Sequence, residues 1–416
     1  MWPPGLISLG NISPRNITSG KRRRTATTFA LVFGTILSVA CTTLKPAKDE
    51  RLAWQFPQPT TEVGAVQRAG IVGVEKEVYL ATLTKLYQVV DGRKQIVSEP
   101  PKPDARILLA PGGGVYAWLI PLPDQPGLHS ILLRRMPAID VAELRSKYAP
   151  RGEGGLLLGF QGNLIVTITP LDDWQGVRGR FRYSFWNNRG DALTQVVLSH
   201  QYKAILDPAG TAILLLGRDE AIAYSSDGRR LWRVPGHYRK GAIAKNGALA
   251  LLNPAETGAI DQVIIYRGTR ESKTLRMPTP VHHLALPPSG DTAAVVGSEA
   301  KYFFLDPVEG KVAAGPALPV EGYAFVTDIK FIDEDTLAFG LLHRTGEPPK
   351  HKWPEGSVIA IDRQGHTLFR KTVAVREPVS SFPAIDATFG IRSFVVTTAD
   401  EVFFVRLQPP PIKDKP

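Results

Sequence analysis

The sequence predicts an all-β protein, because one pattern recurs along most of the chain. A short apolar strand, a turn of Gly, Asp, Asn or Pro, and a second apolar strand form a hairpin that returns about every 45 residues. Hairpins of this kind begin at Ile71, Ile107, Leu156, Ala204, Ala242, Leu284, Lys330 and Asp386. A period of roughly 40–50 residues that holds four short strands is typical of propeller blades. We therefore predict a β-propeller of eight four-stranded blades, with seven blades as the alternative.

A second hairpin completes six of the repeats. These hairpins begin at Leu86, Tyr183, Ile222, Val263, Tyr302 and Val358. In three of them an apolar strand runs into Asp and then Gly, at Asp227–Gly228, Asp306–Gly310 and Asp362–Gly365, and Asp91–Gly92 is a looser fourth case. The pattern resembles the repeat of pyrroloquinoline-quinone-like, WD40-like propellers over about residues 50–408. The resemblance implies the architecture and says little about chemistry, because its Asp and Gly residues make the turns.

The last repeat supplies only three strands, at 383–389, 393–398 and 401–407. The proline-rich tail 409–416 cannot provide a fourth, since proline cannot join a β-ladder. We predict that Leu52–Pro57 supplies it, and that Trp54 occupies the outer-strand position that Trp232 holds in its own blade. Such a strand closes the ring and removes an exposed edge. The propeller then spans residues 52–408.

One segment departs from the strand pattern. The hydrophobic periodicity of residues 138–149, AIDVAELRSKYA, fits a short helix better than the fourth strand of the second blade. We therefore predict a helix there.

Composition limits the classes of function. Of the 416 residues, 43% are hydrophobic and 21% charged, which is typical of a globular protein rather than a disordered one. The single cysteine excludes, within the chain, a disulfide, a four-cysteine zinc site, an iron–sulfur cluster and a c-type haem attachment.

The amino end is typical of a targeting segment. The basic run KRRR at 21–24 precedes an uncharged stretch at 25–40 that is too short for a membrane span of roughly 20 apolar residues. The only cysteine, Cys41, follows the small residue Ala40, and LSVAC at 37–41 resembles the lipobox of bacterial lipoproteins. The resemblance implies a signal peptide at 1–40, lipid on Cys41 and a linker at 41–51. A buried free thiol and an uncleaved anchor are the alternatives.

Cleavage at this position has two consequences. Thr42 is not the Asp that holds such lipoproteins at the inner membrane in enteric bacteria, so the resemblance implies the periplasmic face of the outer membrane. Removing residues 1–40 also removes five basic residues and no acidic ones, which lowers the net charge from +11 to +6. Basicity is thus a poor argument for nucleic acid, and we expect no nucleic-acid partner.

Motifs for catalysis or metal binding are absent from the sequence. We predict that the glycine run Gly112–Gly114 is a turn and that His282 and His283 are structural or solvated, because neighbours on a strand point to opposite faces. The acidic run 333–335 is predicted to be a polar hairpin tip. We therefore predict no catalytic residue, no metal and no cofactor.

Two insertions are the candidate partner-binding sites. They separate the second and third strands of blade three, at 169–182, and of blade seven, at 343–357, so topology predicts that they lie together on one face. Each holds a tryptophan among basic residues, Trp174 with Arg178, Arg180 and Arg182, and Trp353 with Lys350, His351 and Lys352. Trp and Arg are enriched at interaction hot spots. The alternative is that the indoles pack on their own blades while the charges are solvated.

Three classes of function are compatible with the sequence. The overall plan resembles the lipoprotein subunit of the outer-membrane β-barrel assembly machinery, which implies a non-catalytic scaffold for a protein partner in the cell envelope. The second class is a binder of glycan or peptide. The third is an enzyme with a metal or quinone in the channel, which the missing ligand sets disfavour. We predict the scaffold, held to the membrane by its lipid.

Overall fold

Eight four-stranded antiparallel sheets make up the fold, and each is one blade. A computed structural model describes residues 51–58, 65–72, 77–124, 128–136, 139–147, 155–171, 178–320, 322–345, 352–375, 383–398 and 400–408. The predicted signal peptide, Cys41 and the tail 409–416 lie outside the described residues. Eight blades and an all-β architecture confirm the predicted fold class.

The chain builds each blade from the channel outward, so its strands are named here in that order. The outer strand of the eighth blade is β1 (Leu52–Pro57). Blades one to four contain β2 (Arg68–Val72), β3 (Glu77–Ala81), β4 (Leu86–Val90) and β5 (Arg93–Ser98); β6 (Arg106–Leu109), β7 (Val115–Pro121), β8 (Leu128–Arg135) and β9 (Ile139–Lys147); β10 (Leu156–Leu158), β11 (Ile165–Pro170), β12 (Arg178–Trp186) and β13 (Ala192–His200); β14 (Lys203–Leu206), β15 (Ala212–Leu216), β16 (Glu220–Ser225) and β17 (Arg230–Pro235).

The remaining blades continue the same order. They contain β18 (Tyr238–Ala244), β19 (Leu249–Pro254), β20 (Gln262–Arg267) and β21 (Arg270–Arg276); β22 (His283–Ala285), β23 (Ala293–Val296), β24 (Tyr302–Asp306) and β25 (Lys311–Ala314); β26 (Tyr323–Asp333), β27 (Thr336–Thr345), β28 (Lys352–Asp362) and β29 (Thr367–Ala374); β30 (Ala384–Ala387), β31 (Ser393–Thr397) and β32 (Glu401–Arg406). Three short 3-10 turns lie at Phe160–Gly162, Lys245–Gly247 and Ser298–Ala300.

The amino-terminal strand closes the ring as predicted. β1 pairs antiparallel with β32, which places Trp54 opposite Phe404 and Phe56 opposite Val402. Both β1 aromatic side chains are buried, and they join a cluster that includes residues of the first blade. The closing strand therefore contributes apolar packing to two blades as well as the hydrogen bonds of its ladder.

The predicted helix at 138–149 is wrong. Residues 139–147 form β9, the outer strand of the second blade, with Leu128 opposite Lys147 at one end and Arg135 opposite Ile139 at the other. Helix propensity is a weak preference, and a segment of this length is marginal as a helix in water. Pairing along the open edge of β8 supplies a full ladder of hydrogen bonds instead, so tertiary context decides the conformation.

Apolar side chains on both sides of each sheet build the core, because every blade packs between two others. All five side chains of β15, AILLL, are buried for this reason. Hydrophobic clusters lie between neighbouring blades, and the indole of Trp232 on β17 also donates a hydrogen bond of 2.6 Å to the carbonyl of Gly247 in the next blade. Stacking of blades therefore carries most of the burial.

The Asp–Gly repeats form the predicted turns. Asp306 accepts hydrogen bonds from the backbone N–H groups of Val308 and Glu309 at 2.8 and 2.9 Å, and Gly310 has a φ of +62°. A positive φ favours glycine, which explains the spacing of the pair. These Asp residues are structural, as the sequence predicts.

Antiparallel pairing gives the propeller two faces. The inner strands begin at what we call the upper face, and their turns to the second strands lie at the lower face. Connections from second to third strands therefore lie at the upper face, as do those from each outer strand to the next blade. No helix in the described part of the chain is long and apolar enough to span a membrane.

Candidate functional site: the central channel and its upper mouth

The inner strands of the eight blades surround a central channel with a cavity of about 510 Å³. Its lower part is lined by apolar residues of the turns between first and second strands, among them Phe160, Pro208 and Phe389. Its charged lining residues include Arg68, Lys330 and Asp386. Apolar residues thus predominate in the turns at the lower end, where Asp207 also lies, and Arg68, Lys330 and Asp386 lie along the inner strands.

Carboxylates on the inner strands hold neighbouring blades together. Asp386 on β30 accepts a hydrogen bond of 2.9 Å from the backbone N–H of Ala69 in blade one. Asp328 on β26 accepts one of 3.1 Å from the N–H of Ile385 in blade eight. These two acids therefore have structural partners, which accounts for negative charge inside the channel.

Burial raises the pKa of Asp386 above the ordinary aspartate value. The side chain is only 17% exposed, and a carboxylate in such a place loses hydration. The Arg68 guanidinium, 3.8 Å away, and the Ala69 N–H oppose the rise because both favour the charged form. The Asp386 carboxyl therefore serves as a contact between blades eight and one.

The upper ends of five inner strands carry a basic residue. These residues, at or near the strand starts, are Arg68, Arg106, Lys203, Lys240 and His283. Arg106 and Lys203 are exposed, and Lys240 is half-buried. Within the described residues, Asp386 pairs with Arg68 and Asp328 with Lys330, and no acidic group forms an ion pair with Lys203 or Lys240. We call these five residues the cationic mouth.

The cations of blades four and five repel one another. Burial lowers the pKa of Lys240, and the charges of Lys203 and Arg239 lower it further. Burial also lowers the pKa of His283, and Lys240 adds to the effect, while the Val326 carbonyl and Asp328 oppose it. A bound anion would relieve this repulsion, so the arrangement is suited to negatively charged groups.

Parts of both predicted insertions belong to the neighbouring strands. β12 already begins at Arg178, opposite His200, and β27 and β28 are long enough to pair Thr345 with Lys352. Of the residues predicted as insertions, 169–170 and 178–182 in blade three and 343–345 and 352–357 in blade seven therefore belong to strands. Trp174, Lys350 and His351 lie outside the described residues, and Lys352 and Trp353 are the first residues of β28. Arg180 is exposed, and Arg182 is half-buried opposite Val197.

The two insertions share the upper face but do not form one site. They belong to blades three and seven, which are four places apart in a ring of eight and therefore lie across the channel from each other. The expectation that they lie together is wrong in this respect. The cationic mouth lies between them, and no motif in the sequence predicted it. Its signal is a basic residue at or near the start of five of the eight inner strands.

The other motifs have the structural roles that the sequence predicts. A side chain at Gly112 would overlap the ring of Phe160, and its φ of +73° also favours glycine. The ring nitrogen Nε2 of His283 donates to the Val326 carbonyl at 2.9 Å, and His282 Nε2 lies 3.2 Å from Ser298 Oγ. Asp333 accepts the N–H of Asp335 at the tip of the β26–β27 hairpin. Among the residues described, no cluster of three or more His, Cys, Asp or Glu could hold a metal ion.

Neither a search of protein-family models nor a search of curated proteins finds a match to this chain. Solved structures share its fold. Sqt1 from Chaetomium thermophilum has 12% identity and a TM-score of 0.54, covering 86% of this chain and 100% of that one. Sqt1 from Saccharomyces cerevisiae has 8% identity and a TM-score of 0.53, covering 85% and 98%. The carboxy-terminal WD40 domain of Sif2 has 9% identity and a TM-score of 0.52, covering 85% and 100%. The likeness shows a WD40-like propeller fold.

Proposed function

We propose that this chain is a non-catalytic propeller scaffold that binds a partner protein at its upper face. The observation that carries the proposal is the cationic mouth, where Lys203 and Lys240 meet without acidic partners among the described residues. A WD40-like relative in fold supports the general role, since Sqt1 from Chaetomium thermophilum has been solved bound to the amino terminus of ribosomal protein L10. The lipobox resemblance at Cys41 supports a second part of the proposal, attachment to the periplasmic face of the outer membrane.

An acidic segment of the partner is the chemistry that fits this mouth. Lys203, Lys240 and Arg106 come from different blades, so an extended segment that crosses the channel can meet several of them. Each carboxylate that approaches replaces repulsion between cations with attraction, and the propeller holds those cations in place before binding. Little ordering entropy is then lost on the scaffold side. Binding of this kind weakens as salt rises, because exposed charges are screened over about 8–10 Å.

The test compares two variants with the same change in net charge. Lys203→Glu with Lys240→Glu reverses charge at the mouth. Arg189→Glu with Arg229→Glu reverses charge at exposed hairpin tips on the lower face. Binding of a fluorescent poly-aspartate peptide, measured by anisotropy, should weaken at least about tenfold (~1.4 kcal/mol) in the first variant and change little in the second.

Three results bear on the proposal. Weakening of wild-type binding at higher salt supports it, and so does loss of a crosslinked envelope partner in the mouth variant alone. Equal peptide binding by both variants would overturn it. Equal melting temperatures of the two variants show that the comparison reports on binding.

The tryptophans of the insertions are the second part of the proposed surface. Because the insertions lie across the channel from each other, Trp174→Ala and Trp353→Ala are tested singly. Loss of partner capture in one variant, with an unchanged melting temperature, identifies the side of the upper face that the partner covers. A large fall in melting temperature instead assigns that indole to packing within its own blade.

A further inference from the structure

The outer strand of blade three, β13, leaves one edge of its sheet unpaired. It is nine residues long, ALTQVVLSH, and carries no Lys, Arg, Asp or Glu. Its side chains alternate. Val196 and Leu198 pack into the cluster shared with blade four, while Leu193 and Val197 are 42% and 50% exposed. Exposed apolar side chains and a row of free backbone groups make such an edge a template for another strand.

The other outer strands carry the features that protect edges in natural β-proteins. β5, β9, β17, β21, β25 and β29 all include charged residues. β1 is uncharged, but it is shorter, contains a register shift between Leu52 and Trp54 and ends at Pro57. Charges, bulges and prolines each discourage edge-to-edge pairing. In the described residues, β13 is the only outer strand with two exposed large apolar side chains and neither a charged residue nor a proline. Its ladder with β12 shifts register at the start of the strand, between Ala192 and Thr194, and the strand is regular from there to Leu198.

The spacing of the exposed residues on β13 is self-complementary. In an antiparallel pair centred on Gln195, Leu193 of one copy lies opposite Val197 of the other, and Gln195 lies opposite itself. Shifting the centre by one residue to either side places both apolar residues opposite polar side chains or Asp191. The absence of charge on the strand also removes the like-charge repulsion that self-pairing would create at β21 or β29.

We propose that two copies of this chain dimerise by antiparallel pairing of β13 with β13, joining two blades into one eight-stranded sheet. The interface is a single strand edge with two apolar contacts on its exposed side. It is therefore small beside the roughly 1,200–2,000 Å² of stable interfaces, so we expect a weak dimer that depends on concentration. This inference does not use the cationic mouth, which lies at the upper face and not at the rim of the ring.

Cysteine crosslinking tests the register. Every variant in this test is the full chain with the background substitution Cys41→Ser. The introduced cysteine is then the only thiol, and no lipid on residue 41 contributes to association. Directly opposite residues in an antiparallel pair have Cα atoms about 4.5–5.5 Å apart, within disulfide reach. Gln195→Cys should therefore form dimers under mild oxidation. Leu193→Cys and Val197→Cys should each stay monomeric but crosslink when mixed, because like residues are four positions, or about 13 Å, apart. Ala313→Cys, on the exposed strand β25, is the control.

Sedimentation measures the dimer without crosslinking. Val197→Lys should raise the dissociation constant at least tenfold, while Val312→Lys, at an exposed valine of β25, should leave it unchanged. Dimerisation should strengthen as salt rises, because both copies are positively charged, whereas peptide binding at the mouth weakens. A chain that is monomeric at every concentration tested, or that crosslinks equally through Gln195→Cys and Ala313→Cys, overturns the proposal and leaves the proposed function untouched.

Discussion

The indole ring of Trp54 lies 5.5 Å from the ring of Phe404, so the two ends of the propeller meet in one aromatic contact. Phe56 extends the contact, with its ring 4.9 Å from that of Trp54. Strand order alone would close the ring through hydrogen bonds. The aromatic side chains add burial at the point where the ring would otherwise open, and ring closure thus depends on side-chain packing as well as on the ladder.

Trp54→Ala should lower the free energy of unfolding by about 3–5 kcal/mol, the usual cost of removing a buried tryptophan side chain. Urea unfolding followed by circular dichroism measures the change. Val312→Ala is the control, because that side chain is exposed on an outer strand and its loss should change little. A Trp54→Ala protein as stable as the wild type would contradict the closing role.

Deletion of residues 42–57 should destabilise the whole propeller cooperatively, because it exposes the edge of β32 and the apolar surface beneath β1. Deletion of the tail 409–416 should have little effect, since the ladder is complete without it. Calorimetry of the two truncated proteins checks the difference. Equal melting temperatures would show that β1 does not hold the ring closed.

Asp386→Ala should destabilise the protein by about 1–3 kcal/mol, because the N–H of Ala69 loses its acceptor between blades eight and one. Asp386→Asn is the matched control. The amide oxygen can still accept that hydrogen bond, and the variant removes a charge that burial disfavours. We expect the Asn protein to be closer to the wild type in thermal unfolding, and an Asn protein as unstable as the Ala protein would point to the charge instead.

Stability should fall as pH drops below about 6.5. Burial lowers the pKa values of His282, His283 and His343 in the folded state below the ordinary histidine value of 6.5. The unfolded chain then binds protons that the folded chain does not, so acid favours unfolding through this window. Melting temperatures at pH 7.5 and pH 5.5 measure the effect. His283→Gln keeps a donor for the Val326 carbonyl and should reduce the difference between the two melting temperatures. An unchanged difference would show that His283 does not contribute to the pH dependence.

Cys41→Ala should release the protein from the membrane fraction or block its processing. Acyl chains supply about 0.8 kcal/mol of membrane affinity for each buried methylene, and two or more chains make a stable anchor. Fractionation with mass spectrometry of the amino terminus checks the result. A Cys41→Ala protein that is cleaved after Ala40 and still fractionates with membranes would contradict the lipoprotein hypothesis.

The amino-acid sequence by itself determined the repeated hairpins, the propeller architecture and the closing strand, and it left open whether the ring has seven or eight blades. The reason is local. Alternating apolar runs and Asp–Gly turns specify hairpins over a few residues, and a fixed period specifies a ring. The glycine run at 112–114 and the paired histidines were also correctly predicted to be structural. Turn chemistry is a property of short segments, and each histidine has a hydrogen-bond partner in the fold.

Only the tertiary structure decided three other features. It made a strand of 139–147, because the open edge of β8 gives that segment hydrogen bonds that a short helix cannot match. It placed the insertions of blades three and seven on opposite sides of the channel, because their distance depends on the number of blades between them. It gathered Lys203, Lys240 and His283 at one mouth, because residues far apart in the chain become neighbours only when the inner strands surround a common axis.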